Sequence, residues 1–194
     1  MNLEKFRWTR FPQDYKIENN KISITTKPFT DLWQRTYYNF QNDNAPVFQM
    51  ETDKKFFSFC VKVDFSATCH RFDQAGIVMY LDSENWLKAS AEYENENLQH
   101  LGSVVTRNGY SDWATTNLSP DIKSMWYRLS RREDDFLIEN SFDGVNYNQM
   151  RICHMDNATD IIKFGVYACS PEDSSFTAIF TDFELLECKW QAHK

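Results

Sequence analysis

The patterned segments of this chain repeat every two residues, and no run of ten or more keeps a helical stripe with a cap and a stop. Residues 56–65 are the clearest case. Phe57, Phe59, Val61, Val63 and Phe65 fall on one face of an extended strand, because successive side chains alternate sides. Residues 73–81 carry a glycine followed by β-branched and aromatic residues, the pattern of a buried strand. Asp82-Ser-Glu-Asn85 is a turn cluster. Beyond it Trp86, Lys88, Ser90 and Glu92 face one way, and Leu87, Ala89, Ala91 and Tyr93 the other. Segments 126–131 and 136–142 read as a hairpin, and Asp143-Gly144 turns the chain into residues 149–155. Two long strands, 161–169 and 176–186, close the pattern, with shorter candidates at 21–26 and 47–50. Many short strands separated by turn signals specify an all-β sandwich or barrel.

At 194 residues the chain is expected to form one domain spanning 1–194. Its 16 Phe, 9 Tyr and 6 Trp supply ample material for a large core. A net charge of −7 argues against nucleic acid or an anionic membrane surface as partner. No apolar run is long enough to span a bilayer, and residues 1–8 hold no signal-like stretch, so the expected location is cytoplasmic. Five cysteines, an odd number without a CxxC, fit reduced thiols in strand-like apolar runs. The histidines at 70, 100, 154 and 193 lack metal-ligand spacing, and no cofactor motif is present, so neither a metal nor a cofactor is expected.

Chemistry-bearing residues gather in three places. Lys88 and Glu92 share the polar face of one strand, with Gln74 and Arg128 as candidate neighbours and Trp86 at the strand's start. They form either a site or an ion-pair ladder over an open sheet face, with Arg128 the expected partner of Glu92. Trp33, Arg35 and Tyr37 share a face if their segment is extended. Such a set lines a sugar cleft, or else it packs a loop against the sandwich edge. Asp112 and Trp113 stand at a strand entrance after Asn108-Gly109, as site residues or as a turn anchored by a buried indole. Glu92, Glu94 and Glu96 superficially resemble a paired-acid strand, but Tyr93 and Asn95 occupy the intervening positions, and no Gly-x-Ser-x-Gly elbow exists. No catalytic residue is therefore assigned.

Four segments together resemble a bacterial and fungal family of concanavalin A-like domains of unknown function, the one that includes the yeast regulation-of-enolase protein. They are Asp73-Gln-Ala-Gly-Ile77; Trp86-Leu-Lys88 with Glu92 behind it; Val104-Val-Thr-Arg-Asn-Gly-Tyr-Ser-Asp-Trp113; and Gly165-Val-Tyr-Ala-Cys-Ser-Pro171 before a Phe-rich strand. The resemblance covers about residues 27–186. It implies a jelly-roll sandwich of two curved antiparallel sheets, one of them concave, a fold shared by lectins, several glycanases and accessory domains of some xylosidases. By that analogy a binding or accessory domain is expected, taking a saccharide or similar polar small molecule on the concave face. The alternatives are a glycoside hydrolase and a protein-interaction module regulating a metabolic enzyme. A saccharide ligand and a second copy of the chain are the candidate partners.

Overall fold

The computed structural model describes residues 1–156, 158 and 160–191, so His193 lies outside the described residues. A short 3-10 turn, Leu3–Lys5, precedes the strands. In chain order these are β1 (Arg7–Arg10), β2 (Asp14–Glu18), β3 (Lys21–Thr25), β4 (Leu32–Gln34), β5 (Gln41–Asp43), β6 (Val47–Thr52), β7 (Phe56–Asp64) and β8 (Gln74–Asp82). There follow β9 (Asn85–Asn95), β10 (Leu98–Arg107), β11 (Tyr110–Leu118), β12 (Ser124–Arg132), β13 (Asp135–Ser141), β14 (Asn148–His154), β15 (Ile162–Cys169) and β16 (Thr177–Leu186). All named strand pairs are antiparallel.

Two seven-stranded sheets form the jelly-roll sandwich. The first runs β1-β6-β15-β8-β9-β10-β11 and the second β14-β13-β12-β7-β16-β3-β2. The two-residue pattern decides which side chains meet between them. Phe57, Phe59, Val61, Val63 and Phe65 enter the core from the second sheet, where Ile77, Met79, Leu87, Ala89 and Ala91 of the first sheet meet them. The tilted rings of Phe59 and Phe164 lie 5.0 Å apart between centroids, tying β7 to β15 across the layer. Gly76 and Gly165 sit where strands approach closely. A Cβ on either would collide with a carbonyl of the neighbouring strand, Ala89 O or Phe48 O.

A second apolar cluster lies on the outer face of the first sheet. Val47, Val78, Tyr80, Trp86, Val104, Tyr167 and Cys169 are capped there by Leu32 and Ala45 of the segment that carries β4 and β5. Hydrogen bonds pin this small hairpin down: Gln34 donates its backbone N–H to Ser111 Oγ (2.9 Å) and its side-chain amide to Ser83 O (2.8 Å), while Tyr80 Oη donates to Asp43 Oδ2 (2.7 Å). The hairpin thus covers Val78, Tyr80, Trp86 and Val104 on this outer face, while most of edge strand β11 stays exposed.

Candidate functional site

The site grows from register. β9 turns back through residues 96–97 into β10, which places His100 opposite Glu92, while on the other side β8 places Gln74 opposite the same residue. The row Gln74–Glu92–His100 therefore crosses three strands on the outer face. Lys88 stands four residues back along β9, too far for direct contact with Glu92. Gln74 spans the gap. Lys88 Nζ donates to Gln74 Oε1 at 2.9 Å, and Gln74 Nε2 donates to Glu92 Oε2 at 3.0 Å. The amide is fully committed, since its nitrogen also donates to Phe72 O (3.1 Å) and its oxygen accepts from Tyr167 Oη (2.9 Å). Tyr167 Oη also lies 2.8 Å from Ser90 Oγ. Lys88 Nζ reaches Asp31 Oδ1 of the covering segment at 3.4 Å and lies near the rings of Trp86 and Tyr167. Gln74, Lys88, Ser90, Glu92 and Tyr167 of this network are all buried.

Its outer end is not fully paired. Among the described residues neither Glu92 Oε1 nor His100 Nδ1 has a hydrogen-bond partner, though both are buried. Such groups are costly unless something satisfies them. Burial pushes the Glu92 carboxyl up to about 7, against the pull of the Lys88 charge and with Asp31 and Glu94 pushing further. Glu92 and His100 both line a recess, with Gln74, Lys88, Ser90, Gly102, Ser103, Val104 and Trp113, of about 10 Å³, room for one water-sized group. Trp113 is the exposed aromatic among the lining residues. The indole rests over Gly102, where a Cβ would lie 3.1 Å from Trp113 Nε1, and it meets Trp33 edge-on at 6.3 Å. Trp113 is half exposed and presents an aromatic face beside the polar recess.

Of the residues expected from sequence, the fold brings Gln74, Lys88, Glu92 and Trp113 together. Trp86 is fully buried under the covering hairpin and supports Lys88 from below. Trp33 flanks Trp113, but the extended face expected for Trp33, Arg35 and Tyr37 does not exist. Only Leu32–Gln34 is strand, and Arg35, Tyr37, Tyr38 and Asn39 all take left-handed backbone angles that curl the chain into a loop. Arg35 is spent on the neighbouring turns, paired with Glu84 (2.7 Å) and donating to Gly109 O (2.9 Å).

Arg128 does not meet Glu92. It lies on β12 in the opposite sheet, and because Tyr127 and Leu129 face the core, Arg128 faces outward. There it makes a bidentate pair with Glu139 (2.6 and 2.8 Å) under the Tyr147 ring. Asp112 points away from Trp113, as strand alternation requires, and binds Arg151 at 2.7 Å. Glu94 leaves the β9–β10 ladder at a register shift and pairs with Arg71, so the three-carboxylate row does not form.

His100, Asp31 and Tyr167 are the site residues that sequence did not assign. Each comes from a separate part of the chain; the 96–97 turn alone would align Leu101 with Glu92, and it is the bulge at Glu94 that shifts the register to His100. A larger cleft of about 760 Å³ between β11 and β14 holds Arg107, Arg151 and His154. Their charges are already met by Asp112, Asp135 and Asp156, and burial pushes the Cys153 thiol at its base up to about 11, away from the reactive thiolate.

Comparison with known proteins follows the same architecture. Regulation of enolase protein 1 of Saccharomyces cerevisiae is 30% identical over 183 residues, 94% of this chain and 90% of the yeast protein. The crystal structure of a functionally unknown protein from Saccharomyces cerevisiae superposes with a TM-score of 0.87 at 28% identity, over 96% of this chain and 98% of that one. The GH43 protein BlXynB from Bacillus licheniformis has the same fold at a TM-score of 0.74 and 17% identity, over 94% of this chain and 37% of its own. The family described as a protein of unknown function (DUF1349) matches residues 8–188. The chain belongs to that family, whose jelly-roll sandwich it shares.

Proposed function

We propose that the recess between Glu92 and His100 binds a neutral saccharide, which inserts one hydroxyl there and lays a ring face on Trp113. The unpartnered pair of buried atoms, Glu92 Oε1 and His100 Nδ1, carries this reading. A hydroxyl both donates and accepts, so one group can satisfy a carboxylate and an imidazole nitrogen together, whereas an anionic ligand would meet the Glu92 charge. Tryptophan suits the apolar face of a pyranose, and the committed Gln74 amide holds Glu92 in place without competing for its free oxygen. The likeness to a GH43 protein supports a sugar-handling use of the fold by analogy alone.

Calorimetric titration of the intact protein with mono- and oligosaccharides, the β-1,4-linked xylose and glucose series included, tests the proposal. At least one series should bind, and Trp113→Ala and Glu92→Gln should each weaken that binding at least tenfold. A wholly silent panel, or unchanged affinity in both variants, overturns it.

One observation favours a second reading. A buried carboxyl pushed up to about 7 is suited to a general acid, so a sugar-processing activity would place the proton on Glu92. Turnover of a chromogenic glycoside that survives Glu92→Gln would remove Glu92 from that role.

A further inference from the structure

We infer that the loop following β4 forms an outer subsite, so that the ligand is a saccharide chain rather than a single sugar unit. The inference rests on the recess binding saccharide, and it adds a second point of contact.

The loop is built in a way that core packing does not explain. Tyr37 is 79% exposed and Tyr38 72%, and Phe40 beside them is also exposed. Large aromatic side chains left in solvent are costly. Here they are neighbours in sequence and their rings pack on each other: Tyr37 meets Tyr38 edge-to-face at 4.3 Å, and Tyr38 lies 6.3 Å from Phe40. The backbone beneath them holds left-handed angles at Tyr37, Tyr38 and Asn39, positions that bulky side chains rarely adopt. The conformation is enforced from outside. Arg35 N–H donates to Phe40 O at 2.8 Å, closing the loop, and the Arg35 guanidinium is clamped to Glu84 and to Gly109 O. The fold thus accepts strain in order to hold two tyrosine rings in water.

Continuity with the recess identifies the occupant. Trp33 Nε1 donates to Thr36 O at 2.9 Å, which ties the loop's base to the Trp33 ring, and Trp33 meets Trp113 at the recess wall. The Trp33–Trp113 contact and the Trp33–Thr36 hydrogen bond therefore connect the recess wall to the base of the loop that carries Tyr37 and Tyr38. Residues 36–40 carry no charge. Rings that are apolar on the face and polar at the tip suit successive sugar units, which present apolar ring faces and hydroxyl edges. A chain whose end hydroxyl sits between Glu92 and His100 would leave over Trp113 and run toward this loop.

The test is a length series, xylose to xylohexaose and glucose to cellohexaose, titrated into the intact wild-type protein and into the Tyr37→Gly/Tyr38→Gly double variant. Glycine fits the left-handed backbone at both positions, so the variant should melt no lower than wild type. An asparagine pair, Tyr37→Asn/Tyr38→Asn, serves as a second variant that also tolerates this backbone. In the wild type, affinity should rise with chain length. Both variants should lose about tenfold on the hexasaccharide, the size of one or two ring contacts, and nothing on the monosaccharide. A wild-type affinity that does not depend on length, or a length dependence that survives both variants, overturns the outer subsite. In that case monosaccharide binding that remains sensitive to Trp113→Ala leaves the recess standing. If no member of either series binds, both readings fall together. A protein partner at this loop would give the same length-independent result as no subsite at all.

Discussion

Glu92 concentrates the chemistry of the outer face. Its carboxyl is buried and one oxygen is bound by Gln74, yet Lys88 reaches it only through that amide. Desolvation therefore wins over attraction, and the group titrates near 7 instead of 4.5. The native state consequently holds a proton that the unfolded chain releases between those two values, so stability falls as pH rises from about 4.5 to about 7 and is level above that. The difference corresponds to roughly 3 kcal/mol as an upper figure. Urea unfolding of the wild type at pH 5 and pH 8 should show a fall of about 1–3 kcal/mol attributable to this group. In Glu92→Gln that component should be absent, leaving the variant more stable than wild type at pH 8. An equal pH dependence in both proteins would mean that Glu92 is solvated. Alternation along one strand was enough to mark Lys88 and Glu92 in the sequence, and Gln74 followed from the preceding strand. His100 and Tyr167 escaped because their approach depends on cross-strand register, which one strand's pattern does not contain.

Strands behaved differently from loops. β7 was legible in full, because alternation over nine residues fixes which face is buried. Phe59→Ala should accordingly cost about 3–5 kcal/mol in urea unfolding, and a loss below about 1 kcal/mol would show that this row faces solvent. Arg128 shows the limit of the same signal. Its outward orientation on β12 was readable, but alternation does not say to which of two sheets a strand belongs, and the layer of core side chains now separates it from Glu92. The stretch 31–38 defeated an extended reading for another reason. Its β4 portion is three residues long, and the left-handed angles at Arg35 and Tyr37 have no glycine to announce them. Gly76 gives a sharper element-scale test: its Cβ would strike the Ala89 carbonyl, so Gly76→Ala should destabilise by more than about 2 kcal/mol through displacement of β8 from β9.

On the scale of the whole molecule, two sheets of seven strands enclose one large core, while a covering hairpin packs on the outer face of the first sheet and a small recess lies beside Glu92 on that face. The all-β class and the sandwich followed from period-two patterning and from the family resemblance. The covering hairpin did not, because what holds it is a set of hydrogen bonds between residues far apart in sequence. Cys60, Cys69, Cys153, Cys169 and Cys188 are all free thiols, so reductant should leave the melting temperature unchanged. A clear drop would reveal a disulfide.

Chemical-shift mapping asks the central question most directly. Uniformly 15N-labelled protein titrated with xylohexaose and cellohexaose should show the largest movements at the Trp113 indole N–H, the Gly102 amide and the His100 backbone amide. Shifts confined to the Arg107–Arg151 cleft, or none at these three positions, would contradict a binding site at the Glu92–His100 recess.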